Sequence, residues 1–170
     1  MKLIVIISML YSFPIFAVDN LSVQAGDFSS SRVMSSEILD RTNAASEWHS
    51  GLFYDEETNI ELRMSRSQRI SESNIAVGNS SNQYPIEWVG RARANGSEFV
   101  SKGTFQMIFL TTIGYLSCTY DASLYFQFFD EGATMEAEVR YPSWGNLSAT
   151  GQCLRGPMKS DIIELTLDEE

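Results

Sequence analysis

The sequence has very few of the residue types that most catalytic and metal sites need. Among 170 residues it contains one histidine, His49, and two cysteines, Cys118 and Cys153. A Ser-His-Asp triad or a Cys-His pair would have to use His49, and the sequence around it singles out no nucleophile. A zinc site would need mostly carboxylate ligands, which is unusual for zinc. We therefore predict no catalytic residue, no metal site and no cofactor, and we interpret His49 as an ordinary surface or edge residue.

Positive charge is also scarce. The chain has 12 lysines and arginines against 22 acidic residues, a formal net charge of -10. Such a surface repels phosphate backbones and anionic lipid headgroups. We therefore expect no nucleic-acid partner and, in the mature protein, no stable membrane anchor. Such a surface suits a basic protein partner. The acidic clusters lack the spaced Asp/Asn and Gly pattern of a calcium loop and predict solvated turns; they are Asp55-Glu56-Glu57, Asp130-Glu131 and Asp168-Glu169-Glu170.

The N-terminus carries a short apolar run and no apolar segment long enough to be retained in a bilayer. Residues 3–10 are mostly apolar, Lys2 precedes them and the small residue Ala17 follows. This order is typical of a secretory signal peptide, and the run is shorter than the roughly 20 residues that span a membrane. We predict a signal over residues 1–17, cleaved between Ala17 and Val18, with Ala25 as an alternative site. The mature protein is then periplasmic or secreted.

Export bears on the two cysteines. An even pair in an oxidising compartment predicts one disulfide between Cys118 and Cys153, and two free buried thiols are the alternative. Asn-x-Ser sequons also recur in the chain, and they would become glycan sites only in a eukaryotic source. The sequons begin at Asn20, Asn79, Asn95 and Asn146.

Residues 18–47 form an entry segment rich in Ser and Asn, and residues 48–170 form the main domain. A short helix over residues 33–39 would place the apolar residues of the entry segment on one side, while coil or a loosely attached strand fits equally well. From residue 48 onward the pattern has period two, as in Ile60, Leu62 and Met64, which alternate with polar neighbours. Asn95-Gly96 is a strong hairpin signal.

Residues 104–113, 115–120 and 123–129 predict three further strands, and Pro142 ends another. About seven to nine short strands separated by turn residues, with no long helical pattern, predict one mainly antiparallel all-β domain, a sandwich or barrel with one disulfide.

The second half of the domain resembles a family of small secreted bacterial β proteins known only as a domain of unknown function. The resemblance covers residues 104–165 and lies in four features: the segment 114–120 around Cys118, the apolar strand 124–128, Tyr141-Pro142-Ser143-Trp144, and Gly151-Gln152-Cys153. The resemblance implies an exported β fold, but it does not indicate which activity the protein has. The family's further cysteine would fall near Ser160, where this chain has none.

Arginines and aromatic residues offer two patterns for binding. Arg63, Arg66 and Arg69 recur every three residues, and Arg91 alternates with Arg93, so a local basic face is one interpretation and internal pairing with glutamates is the other. The tryptophans and tyrosines would suit a sugar- or protein-binding platform, although large aromatics in a β domain are more often core residues. The tryptophans are Trp48, Trp88 and Trp144.

The scarcity of catalytic side chains on an acidic, disulfide-closed β scaffold favours binding over catalysis. We predict a non-catalytic protein-binding module of the immunity or inhibitor type, with a protein partner that is basic on charge grounds. A secreted effector or virulence-associated factor is one alternative. A carboxylate-based hydrolase is another, because the spacing of paired carboxylates is spatial and leaves no sequence motif.

Overall fold

The structure is a computed structural model that describes residues 22–24, 47–79 and 81–168 of the chain. In these ranges the chain is almost entirely β structure, with a single 3-10 turn at Asp130–Gly132. The strands are β1 (Ser22–Gln24), β2 (Gly51–Asp55), β3 (Ile60–Ser65), β4 (Arg69–Ser73), β5 (Ala76–Asn79), β6 (Asn82–Pro85), β7 (Glu87–Asn95), β8 (Glu98–Thr111), β9 (Gly114–Phe129), β10 (Thr134–Pro142), β11 (Gly145–Leu147), β12 (Cys153–Arg155) and β13 (Met158–Leu167).

Eight of the strands form one antiparallel sheet that curls back on itself. The strand order is β4-β3-β2-β13-β10-β9-β8-β7, so neighbours in the sheet are mostly neighbours in sequence. The two outer strands meet again, because the backbone N–H of Ala92 in β7 donates to the carbonyl oxygen of Gln68 beside β4 at 2.7 Å. The indole N–H of Trp88 also donates to Ser73 Oγ at 2.8 Å. The result is a nearly closed barrel, which confirms the predicted all-β, antiparallel fold.

The interior of the barrel holds the residues that alternate along the strands. Ile60, Leu62 and Met64 are buried in β3, while the residues between them face solvent. The same alternation fills the interior from β8, β9, β10 and β13. Aromatic rings dominate the interior, and the largest fully buried side chains include Phe53, Phe105, Phe126, Phe128 and Tyr141.

One end of the barrel is covered by the residues that lead into β2. The Trp48 ring packs edge-on against Phe99, Phe126 and Phe128 at centroid distances of 5.4 to 5.9 Å. Its indole N–H donates to the carbonyl oxygen of Ser65 at 2.9 Å. Trp48 is therefore part of the core at the end where β2 starts and β3 finishes.

Two small sheets lie outside the barrel. β1, β5 and β6 form a three-stranded sheet, and β5 and β6 are the hairpin that links β4 to β7. β11 and β12 form a second hairpin between β10 and β13. The β5–β6 hairpin and the β11–β12 hairpin both leave the barrel at the end opposite Trp48.

The structure corrects one feature of the strand prediction. Residues 115–120 and 123–129 do not form separate strands, because β9 runs unbroken from Gly114 to Phe129. Its ladder with β8 continues through Asp121, which is exposed, and through Ser123, which is buried and accepts a hydrogen bond from Lys102. The predicted signal, its cleavage between Ala17 and Val18, and the short helix at 33–39 lie outside the described residues. No helix in the described ranges is long and apolar enough to cross a bilayer.

Candidate functional site

The hairpin of β8 and β9 extends well past the rest of the barrel. On one side the ladder between β7 and β8 ends at the pair Glu87 and Thr104, and on the other the ladder between β9 and β10 ends at Ser123 and Arg140. Beyond these points β8 and β9 pair only with each other, over seven residue pairs from Phe105 to Thr111. At about 3.3 Å per residue this projection is about 23 Å long. We call residues 105–120 the arm.

Four large apolar side chains are exposed on the outer side and at the tip of the arm, beside the polar residues Gln106, Ser117 and Thr119. Ile108, Leu110, Ile113 and Tyr115 are 64%, 77%, 93% and 80% exposed, and Leu110 lies directly opposite Tyr115 across the ladder. Residues 104–119 contain no charged side chain. Four large side chains at these exposures form a patch on the order of 500 Å², a size at which a patch on a monomer is often functional. We call these four residues the outer arm face.

The inner face of the arm is covered and covalently braced. Residues 143–156, which contain β11 and β12, fold over it, and we call this segment the flap. Cys118 in the arm and Cys153 at the start of β12 form the predicted disulfide, with their Cα atoms 5.7 Å apart. Gly145 of the flap packs so closely on Met107 and Tyr120 that a Cβ there would lie 2.7 Å from both side chains. The disulfide therefore ties the flap to the arm at the base of the projection.

Tyr120 adds a polar contact between the arm and the flap. Its hydroxyl donates to the carbonyl oxygen of Leu154 at 3.0 Å and lies 3.4 Å from the carbonyl oxygen of Asn146. Burial raises the pKa of Tyr120 above its ordinary value. The hydroxyl is therefore protonated at neutral pH and holds the flap as a donor.

The seam between β4 and β7 contains a cleft of about 390 Å³. Glu72 and Glu87 both line it, together with Trp88 and the buried residues Ile70 and Ile86. Glu72 is exposed and pairs with Arg63 of β3 at 3.0 Å. A glycosidase acid needs a site that raises its pKa by burial or by a second carboxylate. An ion-paired carboxylate in solvent is a poor candidate for that role.

The other residues considered from the sequence do not converge on a site. His49 is half-buried, with its ring 5.2 Å from that of Phe128 and against Gly132. In the described ranges, no group of three or more His, Cys, Asp or Glu side chains is placed to hold a metal ion. The tryptophans lie in separate places: Trp48 in the core, Trp88 at the seam, and Trp144 in the flap beside Gly156.

The sequons and acidic turns in the described ranges are on the surface or at its edge, whereas Asn20 and residues 169–170 lie outside those ranges. Asn95 is exposed beside the turn between β7 and β8, and Asn79 accepts backbone N–H bonds from Ser81 and Asn82 in the turn between β5 and β6. Asn146 lies half-buried in the flap. Asp55 accepts hydrogen bonds from the Glu57 N–H and the Thr58 hydroxyl, so this acidic cluster shapes a turn.

The outer arm face was missed by the sequence analysis. Its signal is the absence of charge over residues 104–119 in a chain in which 20% of the residues are charged. The alternating pattern predicts that Ile108 and Leu110 share a face, but a buried face is the default for such residues.

The chain matches no family model, no curated protein and no solved structure. The resemblance to a secreted β family of unknown function therefore stays a prediction. Functional inference depends on the geometry of the chain alone.

Proposed function

We propose that this is an exported, non-catalytic protein-binding module of the immunity or inhibitor type, and that the outer arm face is its binding surface. The observation that carries the proposal is the exposure of Ile108, Leu110, Ile113 and Tyr115 on a charge-free projection. Exposed apolar surface of this extent costs free energy in water, and burial against a partner recovers it. The disulfide and the signal-like N-terminus support export, to the periplasm or beyond.

The shape and rigidity of the arm favour insertion into a cleft. A two-stranded ribbon is narrow, and the disulfide to the flap limits its motion relative to the barrel. A preorganised projection loses little conformational entropy on binding, which is how many enzyme inhibitors achieve affinity. The acidic net charge would speed association with a basic partner from a distance, while the uncharged arm supplies the contact.

Photocrosslinking tests the proposal directly. A photoreactive amino acid at Leu110, in the protein expressed with its own N-terminus, should crosslink one protein of the cell envelope or culture medium. The same group at Ile162, which is 54% exposed on β13, is the matched control and should not crosslink that protein.

Affinity capture with surface variants completes the test. Leu110→Glu and Tyr115→Glu should each reduce capture of the crosslinked protein at least about tenfold, because a charge would be buried without a partner. Ile162→Glu should leave capture unchanged. Equal capture by all three variants would contradict a role for the arm. If the wild type sediments with phosphatidylcholine vesicles and Tyr115→Glu does not, the outer arm face binds a membrane and not a protein, and the proposal is wrong.

The carboxylate-hydrolase alternative has one observation in its favour, the shared cleft of Glu72 and Glu87 with Trp88. Glu87→Gln tests it, because a hydrolase that uses this cleft would lose turnover of a glycan substrate while its fold is retained. Unchanged partner capture by Glu87→Gln is expected if the arm is the binding surface.

A further inference from the structure

Two arginine-bearing segments that are far apart in sequence meet at the seam of the barrel. The N–H of Ala92 donates to the carbonyl oxygen of Gln68 at 2.7 Å, which aligns β7 with the start of β4. Arg69 and Arg91 each adjoin one of the two bonded residues, so both lie at this seam. Ile70 and Ala92 are buried in the barrel, so Arg69 and Arg91 project from its outer surface.

Two more arginines extend this cluster. Arg93 follows Arg91 on the same face of β7, and Arg66 lies in the turn between β3 and β4. All four side chains are exposed, and in the described ranges none lies within ion-pair distance of a carboxylate. Glu98 is a carboxylate near Arg93 in the strand register, because it pairs with Asn95, two residues after Arg93 on β7. We call Arg66, Arg69, Arg91 and Arg93 the arginine cluster.

The arginine cluster is unfavourable for the isolated fold. Like charges that lie close together on a protein surface repel one another and destabilise the fold. Acidic side chains outnumber basic ones by 22 to 12 in this chain, and other exposed arginines do have partners. Arg63 lies 3.0 Å from Glu72, and Arg155 lies 3.8 Å from Asp121. An external anion would supply the missing counter-charge.

We propose that the arginine cluster binds a phosphate-bearing anion. The planar guanidinium forks donate two parallel hydrogen bonds to phosphate oxygens, and several arginines together suit a multiply charged group. The phosphate belongs either to an anionic lipid headgroup or to a soluble polyphosphate. This site is at the end of the barrel opposite the arm, so it goes beyond the proposed function and does not depend on it.

The net charge of -10 does not oppose such binding at contact distance. At physiological ionic strength the Debye length is about 8 Å, so carboxylates farther away than this are largely screened at the site. The same screening makes the interaction depend on salt, and binding should weaken steadily as salt is added.

Binding of two probes tests the site and separates its sources. Inorganic pyrophosphate, measured by calorimetry, represents a soluble polyphosphate. Vesicles with equal parts of phosphatidylcholine and phosphatidylglycerol, measured by sedimentation, represent a lipid headgroup, with pure phosphatidylcholine vesicles as the blank. We expect the wild type to bind at least one probe, and the probe that it binds identifies the source.

Two double variants with the same change in net charge provide the control. Arg69→Gln with Arg91→Gln should weaken binding about thirtyfold, at roughly fivefold for each charge removed. Arg63→Gln with Arg155→Gln removes two arginines that already have acidic partners and should leave binding near the wild-type level. The first pair should also leave resistance to urea unchanged or improved, because it relieves like-charge repulsion.

Three results would overturn the proposal. Binding of neither probe by the wild type would remove the site. Equal weakening in the two double variants would indicate a general charge effect. A loss of resistance to urea in Arg69→Gln with Arg91→Gln, with probe binding unchanged, would assign these arginines to the fold.

Discussion

Removal of the disulfide should destabilise the whole domain while changing the native structure mainly in the flap. The variant that tests this is Cys118→Ala with Cys153→Ser. Cys118 is buried on the inner face of the arm, so alanine keeps that position apolar, and Cys153 is exposed, so serine is accommodated there. Neither change introduces a buried polar group.

The expected magnitude follows from the loop that the disulfide closes. The two cysteines are 35 residues apart, and the loop contains most of β9 and all of β10. A crosslink of this length removes unfolded-chain entropy equivalent to about 4 kcal/mol at 25 °C. Native contacts of the flap change the result only slightly, because Tyr120 and Gly145 still hold it in the variant. A loss of about 3 to 4 kcal/mol in the free energy of unfolding is therefore expected.

Urea denaturation followed by tryptophan fluorescence measures this difference, since Trp48 lies in the core and reports on unfolding of the barrel. Hydrogen exchange gives the local result. Amides in residues 143–156 should exchange faster in the variant than in the wild type. The amides of Leu124 and Val139 should keep the same rank in exchange rate relative to the other amides of the protein. A difference in unfolding free energy below about 1 kcal/mol would refute the reasoning, because the crosslink would then barely restrict the unfolded chain.

Two further predictions concern the end of the barrel near His49 and an ion pair on its outer surface. Gly132→Ala should destabilise the domain by about 2 kcal/mol or more in urea denaturation. The reason is that Gly132 has a φ of +96° and that a Cβ there would lie 2.0 Å from His49 Nδ1. An unchanged midpoint of the urea transition would contradict this packing. Arg140 donates a hydrogen bond of 2.6 Å to the carboxylate of Glu138, and this bond lowers the pKa of Glu138. The pair therefore stabilises the fold at neutral pH, and its contribution is lost as the pH falls through that lowered pKa. Glu138→Gln should cost less than about 1 kcal/mol at neutral pH. Its difference from the wild type should shrink as denaturation curves are measured at successively lower pH and disappear below the lowered pKa of Glu138, and a difference that does not change with pH would contradict the pair.

Much of the fold could be predicted because its strongest signals are local. The alternation of Ile60, Leu62 and Met64 fixes which side chains point inward, and Asn95-Gly96 fixes a tight turn with Gly96 at a positive φ. Local signals do not say where a strand ends when its polar residues simply face outward. The predicted break between residues 120 and 123 is therefore wrong, because the ladder with β8 carries β9 straight through Asp121.

The candidate sites could not be predicted because each depends on which strands are neighbours. Ile108 and Leu110 alternate with the buried Phe105 and Met107, so they lie on the outer face of the β8–β9 ribbon, and no second layer of the described residues covers them. Periodicity alone does not show which of the two faces of a ribbon is covered. In the same way, the spacing of arginines predicts a basic face on one strand, but it does not bring Arg69 and Arg91 to the same seam. That seam forms where the first and last strands in the sheet order meet.

The two proposed sites lie at opposite ends of one rigid body. β8 links them, since its first residues border the turn after Asn95 and its last residues form the arm. Its 14 residues span about 45 Å. A ligand at the arginine cluster would therefore not obstruct a partner at the outer arm face. If the anion is a lipid headgroup, the arm would point away from the membrane surface, toward proteins of the surrounding compartment. Binding at the two sites should then be independent, and the affinity of the arm for its partner should be the same on vesicles and in solution.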